Sequence, residues 1–270
     1  MKLHRYLPLL ITVVALSFLS VGCGKDASKE AENTDLLEEI RSRGKIVFAM
    51  EGKWAPWTYH DENGELTGYD TEVGREIAKK LGVEAEFVEG EWDGLFAGLD
   101  GRRYDAVING VEITDERAEK YDFTIPYAYI KTALVVKDTN TEIKGFEDLK
   151  GKKTSNSLGS TYADIAASYG ANVLNVDTLS DTIEMVLSDR VDATLNAEVS
   201  FYDYLREHPD AGIKIVALTD EASMVSIPLR KEEGSANLKK AIDDALTELS
   251  ADGTLTALSE KFFGSDISQE

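Results

Sequence analysis

Apolar positions along this chain switch repeatedly between the period of a strand and the period of a helix. Lys45-Ile46-Val47-Phe48-Ala49-Met50 is an apolar run of strand length, and Val73, Ile77 and Leu81 follow at helical spacing. The spacing predicts a helix over Asp70–Leu81 that stops at Gly82. Val83, Ala85 and Phe87 alternate as a second strand. A helix-like stretch then carries Trp92, Phe96 and Leu99, and a strand is predicted over Thr132–Lys137. Another strand ends in Ser157-Leu158-Gly159-Ser160-Thr161, and a helix carrying Leu179, Ile183 and Val186 has Ser180 as its predicted N-cap. A strand over Ile213–Leu218 precedes an extended Met224–Leu229, and Ala236 to Phe263 reads as two helices parted by Ala251-Asp252-Gly253-Thr254. This order predicts an α/β fold.

The pattern also repeats itself. GRRYDAVING, Gly101 to Gly110, returns as SDRVDATLNA, Ser188 to Ala197, each copy with a helix-like segment at matching distance upstream. Two similar α/β units predict two similar lobes, the alternative being two units within one larger sheet. Ligands of open α/β sheets bind beyond the carboxyl ends of strands, so Asn109-Gly110 and Asn196-Ala197 are expected to face each other across a shared cleft. Extended stretches near Tyr129–Val135 and Ala222–Pro228 flank the second copy and are the expected crossings between lobes.

Composition narrows the partners. Of 270 residues, 43% are hydrophobic, enough for one large or two small cores. Lys and Arg total 29 against 50 Asp and Glu, and a net charge of -21 repels nucleic acid and anionic lipid headgroups. Lys2 and Arg5 precede an apolar run from Leu7 to Val21, an export-signal pattern that ends in Gly22-Cys23-Gly24. Cys23 is the one cysteine, so no intrachain disulfide can form. The segment resembles a bacterial lipoprotein signal, which implies cleavage after residue 22, acylation of Cys23 and a polar tether over 23–34. Ser20 stands where such signals usually carry Leu, so ordinary cleavage or an uncleaved anchor stays open.

Candidate catalysts are few. The three histidines are His4 in the signal, His60 in a turn-like acidic stretch and His208 before Pro209, none placed as a buried general base. No Cys/His spacing suggests zinc, the acidic turn at Asp61 lacks calcium-loop spacing, and no phosphate-loop motif occurs. No catalytic residue, metal or cofactor is therefore expected, and binding is the stronger class.

Several motifs carry a specific resemblance: Trp54-Ala55-Pro56-Trp57, Gly68-Tyr69-Asp70, Ile113-Thr114-Asp115-Glu116-Arg117, Tyr121-Asp122-Phe123, Leu149-Lys150-Gly151-Lys152 and Ala251-Asp252-Gly253-Thr254. From Asp35 to Ile267 the chain resembles the extracellular solute-binding proteins of amino-acid ABC importers, and within them the cystine-binding members. The resemblance implies a two-lobed periplasmic-binding-protein-like (type II) fold with a hinge of two crossing strands. Lobe one would comprise residues 35–131 and 223–270, and lobe two residues 132–222. It further implies a monomer, exported and held at the outer membrane face through Cys23, that passes an amino-acid-like molecule to an ABC permease. The alternatives are a cyclohexadienyl-dehydratase-like enzyme on the same fold and the sensing domain of a receptor.

The same resemblance nominates the site. Arg117 matches the arginine that grips the ligand's α-carboxylate, a task suited to a planar fork of donors; otherwise it is a surface residue pairing with Asp115 or Glu116. Backbone N–H groups of Gly159-Ser160-Thr161 and the hydroxyl of Thr161 would meet that carboxylate at a positive helix end; a plain N-cap is the alternative, and both readings can hold at once. Trp54 and Trp92 match apolar walls, Trp57 is better read as core, and Glu51 matches a selectivity position. Asn109 and Gly110 lie at the expected cleft. Ala197 stands where the family usually has an Asp that pairs with the ligand's ammonium, while Glu112 stands where a small or hydroxyl residue is usual. The pair of changes suggests that the counter-charge has moved to Glu112, with Glu198 as a rival.

Overall fold

The structure, a computed structural model, describes residues 35–270, so the predicted signal and tether lie outside the described residues. Two five-stranded sheets share one plan. The first runs, in spatial order, Glu84–Glu89, Lys45–Met50, Ala106–Val107, Pro228–Arg230 and Tyr121–Phe123; the second runs Asn172–Asn175, Lys153–Asn156, Ala193–Ala197, Thr132–Lys137 and Ile213–Leu218. In each, the first three strands are parallel and the fourth enters antiparallel. The fold is the two-lobed type II arrangement, and the single-sheet alternative does not hold.

The sequence repeat supplies the physical parallel between the sheets. Arg102 and Asp189 occupy the same place in the two copies, and among the described residues they are the non-glycine residues with positive φ, 54° and 57°. Each sits just past a helix, Trp92–Asp100 or Leu179–Leu187, where a left-handed residue turns the chain back toward the sheet. Three positions on, Asp105 accepts the amide of Val47 and Asp192 the amide of Lys153, both at 2.7 Å. Each aspartate thereby pins its own strand to a parallel neighbour.

Lys45–Met50 is almost wholly buried, which explains its continuous apolar run: helices cover it rather than water. The helix Tyr69–Leu81 ends at Gly82 with φ 75°, the backbone conformation that glycine adopts at least cost. The helices Ala236–Ala251 and Thr254–Phe263 pack against it. Thr178, not Ser180, caps the Leu179–Leu187 helix, accepting from the amide of Asp181 at 3.1 Å. Thr178 has the extended backbone an N-cap needs, and Ser180 lies inside the helix.

Ala128–Ile130 and Ser223–Val225 pair antiparallel as a separate two-stranded ribbon. Beyond it the chain enters the second sheet at Thr132 and rejoins the first at Pro228. The extended stretch predicted over Met224–Leu229 is therefore two strands, because its halves have different partners.

Candidate functional site

Where the strands of both sheets end, the loops that follow them enclose a cleft whose empty space, its open mouth included, is about 580 Å³. Arg117, Glu112, Asn109, Gly110, Trp54, Trp92, Glu51, Ser160 and Thr161 line it; Ala197 does not. Ala197 is fully buried at the start of the Glu198–Glu207 helix, its amide taken by the Asn196 side chain at 2.9 Å.

Arg117 stands on the short helix Asp115–Lys120, whose N-cap Thr114 accepts the Arg117 amide at 3.2 Å. Its guanidinium turns from the surface into the cavity: Nη1 donates to the carbonyl of Glu112 at 2.8 Å and Nη2 to the carbonyl of Gly159 at 3.1 Å. Gly159 belongs to the segment that follows a strand of the second sheet, so this one side chain spans both walls. The fork also lies 5.3 Å from the Trp92 ring centre and 5.6 Å from that of Phe96. The surface pairing with Asp115 or Glu116 is not what forms. Desolvation lowers the pKa of Arg117, opposed by the carboxylates of Glu112 and Asp164, and the group remains a cation.

Glu112 is buried at 3% exposure. Its backbone bridges Val225 of the ribbon, and its carboxyl accepts from the Thr161 hydroxyl across the cleft. Desolvation raises its pKa, held back by Ser223, Thr161, Arg117 and Tyr162. The rival Glu198 is committed elsewhere, accepting the Lys131 amide at 2.7 Å at the end of the ribbon. Ser160 is a working N-cap of the Thr161–Ser168 helix: its hydroxyl accepts from Ala163 at 3.2 Å and donates to Ser157 at 2.7 Å. That hydroxyl is spent on the helix end, and both Ser160 and Thr161 line the cavity.

The first-sheet wall is fixed from beneath. Gly110 has φ 55°, and a Cβ there would meet the Trp54 ring at 2.7 Å, so the ring closes against bare backbone. Trp54 stacks on Trp57, ring centres 5.3 Å apart, and Trp57 is fully buried core that donates to Ser200 at 3.1 Å. Under the Gly110 amide, fully buried Asp70 accepts that N–H at 2.5 Å and the Tyr127 hydroxyl at 2.7 Å. Asn109 clasps Glu51 reciprocally: its Oδ1 accepts the Glu51 amide and its Nδ2 donates to the Glu51 carboxylate, each at 2.8 Å. Desolvation pushes the Glu51 carboxyl up to about 7, against the Asn109 bond and the charge of Lys53.

An arginine, paired hydroxyl and backbone donors and flat aromatic walls, gathered from two sheets around one cavity, suit capture of a small zwitterion. Residues 46–265 match the profile of bacterial extracellular solute-binding proteins, family 3. The chain belongs to this family.

The solute-binding relatives are transport proteins. The L-cystine-binding protein TcyA of Bacillus subtilis is 36% identical over 262 residues, covering 97% of each chain. The L-cystine solute receptor of Neisseria gonorrhoeae, in an unliganded open conformation, is 42% identical, with TM-score 0.60 over 87% of this chain and 99% of that one. An ancestral arginine-binding protein bound to arginine is 38% identical, with TM-score 0.76 over 82% of this chain and 99% of that one. These relatives are named as binding proteins for transport and not as enzymes.

Sequence reasoning passed over several lining residues of the second sheet, chiefly Asn156, Tyr162 and Asp177. Asn156 ends one strand and Asp177 lies just beyond another, so the carboxyl-end rule that found Asn109 would have found both. Tyr162 carried no such signal, because it lies within the Thr161–Ser168 helix and lines the cavity only through the placement of that helix. Tyr162 and Asn156 each bury a polar atom, Oη and Oδ1, with no hydrogen-bond partner among the described residues.

Proposed function

We propose that this protein is the lipid-tethered binding component of an ABC importer, which captures a polar amino acid, cystine foremost, and delivers it to a membrane permease. The observation that carries this reading is the Arg117 guanidinium, held inside the cavity between carbonyls from both walls. A ligand carboxylate offers that fork a better partner than two neutral carbonyls. The backbone amides at the start of the Thr161–Ser168 helix add donors and a positive helix end. Glu112 receives the ammonium in place of the Asp that Ala197 lacks, and Trp54 and Trp92 enclose the side chain.

Lobe one is residues 35–131 with 223–270, lobe two is residues 132–222, and the ribbon between them is the hinge. Closure is favoured because the ligand touches both lobes only when they meet, and that difference in affinity is what shifts the equilibrium. The likeness in shape supports a closed arrangement here: the fit to the arginine-bound protein is better than to the open cystine receptor, despite the latter's higher identity. Cys23 anchors the monomer by its lipid at the outer membrane face.

A thermal-shift screen of the full-length chain against an amino-acid panel tests this reading, since a ligand that binds only the native state raises the melting temperature. A rise with cystine or another polar amino acid is expected. No response to any amino acid would overturn the proposal. Release of the protein from membranes by Cys23→Ala tests the anchor.

A further inference from the structure

Trp54 lines the cavity, and behind it Trp57 stacks on its ring at an interplanar angle of 20°. Trp57 is seated by residues of the first-sheet side. Its amide donates to the Trp54 carbonyl at 2.9 Å, its carbonyl takes the amide of Asp70 at 3.0 Å, and its ring meets Tyr69 and Phe263 with centres 5.8 and 4.9 Å away. The indole N–H has a partner from elsewhere. Nε1 donates to the Ser200 hydroxyl at 3.1 Å, and Ser200 stands on the Glu198–Glu207 helix, which follows the Ala193–Ala197 strand of the second sheet. Trp57 is 0% and Ser200 1% exposed, so water cannot take the place of either group.

The helix that carries Ser200 meets the first-sheet side at successive places. Glu198 accepts the Lys131 amide at the end of the ribbon, and Ser200 accepts from Trp57. Asp203, three positions on and so on the same face as Ser200, lies close to Tyr59: after burial, its charge is the chief influence that raises the Tyr59 pKa. The helix also packs beside Thr254–Phe263, which supplies Phe263 to the Trp57 ring. Phe201 turns instead into the apolar cluster of Val135, Ile183 and Ile213, which fixes the helix to the second sheet. Glu198, bonded to backbone at the ribbon, marks the pivot, whereas Ser200 and Trp57 are joined by side chains alone and can part when the lobes do.

We propose that Ser200 is a positioning residue: on closure its hydroxyl takes up the Trp57 N–H and so fixes the Trp57–Trp54 stack as a rigid wall for the captured amino acid. On opening, the helix withdraws and the indole N–H loses its acceptor. A buried donor left unpaired disfavours that state, so the Ser200 bond and a ligand held against Trp54 favour the same arrangement and each strengthens the other. The inference rests on the closure reading above and names the contact through which the aromatic wall responds to it.

The chain has three tryptophans, hence three indole N–H signals in a nitrogen–proton NMR spectrum of the full-length protein in detergent, and Trp57→Phe identifies one of them. Cystine, arginine and glutamine serve as probes. A probe that binds is expected to shift the Trp57 signal and slow its exchange with water. In Ser200→Ala, checked for native circular dichroism, that response should vanish while the other two indoles still respond, and affinity read by calorimetry should fall by about fivefold to tenfold, the scale of one lost buried hydrogen bond. Trp57→Phe already removes the donor, so adding Ser200→Ala to it should weaken binding by about twofold at most, a non-additivity that a purely structural role would not produce. A Trp57 signal in the unaltered protein that is the same with and without a bound probe, or an affinity that Ser200→Ala leaves unchanged, would overturn the inference while leaving amino-acid binding intact. Failure of every amino acid to bind the unaltered protein would overturn the underlying reading, and this inference with it.

Discussion

The hydroxyl of Thr161, on the first turn of a second-sheet helix, donates to the carboxyl of Glu112, which is bridged through its backbone to the ribbon. Both residues are buried, so this contact joins the two walls at the point where they approach the connection between the sheets. In the proposed reading, that carboxyl receives the ammonium of the amino acid bound by Arg117.

Glu112→Gln keeps the shape and removes the charge. Loss of a buried counter-charge to the ligand's ammonium should weaken binding by about tenfold or more, read by calorimetry. Unchanged affinity would eliminate the idea that Glu112 replaces the missing aspartate.

Arg117 contributes to the cavity more than to the core, because its partners are carbonyls of Glu112 and Gly159. Arg117→Ala should reduce ligand affinity by about 30-fold or more, the cost of stripping one partner from a desolvated charge pair, with a melting temperature close to the parent's. Arg117→Lys should recover only part of it, since a point charge cannot match the fork.

Gly110→Ala puts a Cβ 2.7 Å from the Trp54 ring at a residue with φ 55°. The strained backbone alone costs about 1–3 kcal/mol. Chemical denaturation should show that loss, and ligand affinity should fall with it because Trp54 must move off the wall.

Asp70 titrates at about 7 in the folded protein against an ordinary 3.8, because burial raises it more than Tyr127 and the Gly110 amide lower it. The folded state therefore holds a proton that the unfolded chain has lost over this interval, and its stabilising effect fades as pH rises through about 7. Asp70→Asn, which imitates the protonated form, should flatten the decline in melting temperature between about pH 4 and pH 7. Asp70→Ala, leaving the Gly110 amide and Tyr127 hydroxyl unpaired, should cost about 2–3 kcal/mol near pH 4 and less as pH rises.

Glu51 faces Asn109, Lys53, Glu91 and Asp177, and its carboxyl is pushed up to about 7. A cationic group placed beside Glu51 favours the ionised form, so affinity for a ligand that carries one there should rise as pH increases through about 7, with proton release visible in buffers of different ionisation enthalpy. In Glu51→Gln that part of the pH dependence should vanish.

Much of the architecture was legible in the chain. The strand over Lys45–Met50 and the helix stopped at Gly82 follow from apolar period and a glycine stop, which are local properties. The echo of GRRYDAVING in SDRVDATLNA marked two units whose aspartates, Asp105 and Asp192, do the same work in separate sheets. Resemblance in motif placed Arg117, Trp54 and Trp92 on one cavity. What local pattern misjudged were choices between neighbours, such as Thr178 rather than Ser180 as a cap, since both residue types suit the role and only the backbone decides.

By itself, then, the sequence determined the order and type of the elements, the doubled unit and the residue types available for a zwitterion, because periodicity and caps depend on residues a few positions apart. Tertiary structure alone decided that Ser160 is spent on its helix while Thr161 meets Glu112, and that Glu198 serves the ribbon. It also decided that Asp177 shares an end of the cavity with Glu51. Those outcomes turn on distances between residues far apart in the chain, and on burial, which sets what an unpaired charge or carbonyl costs.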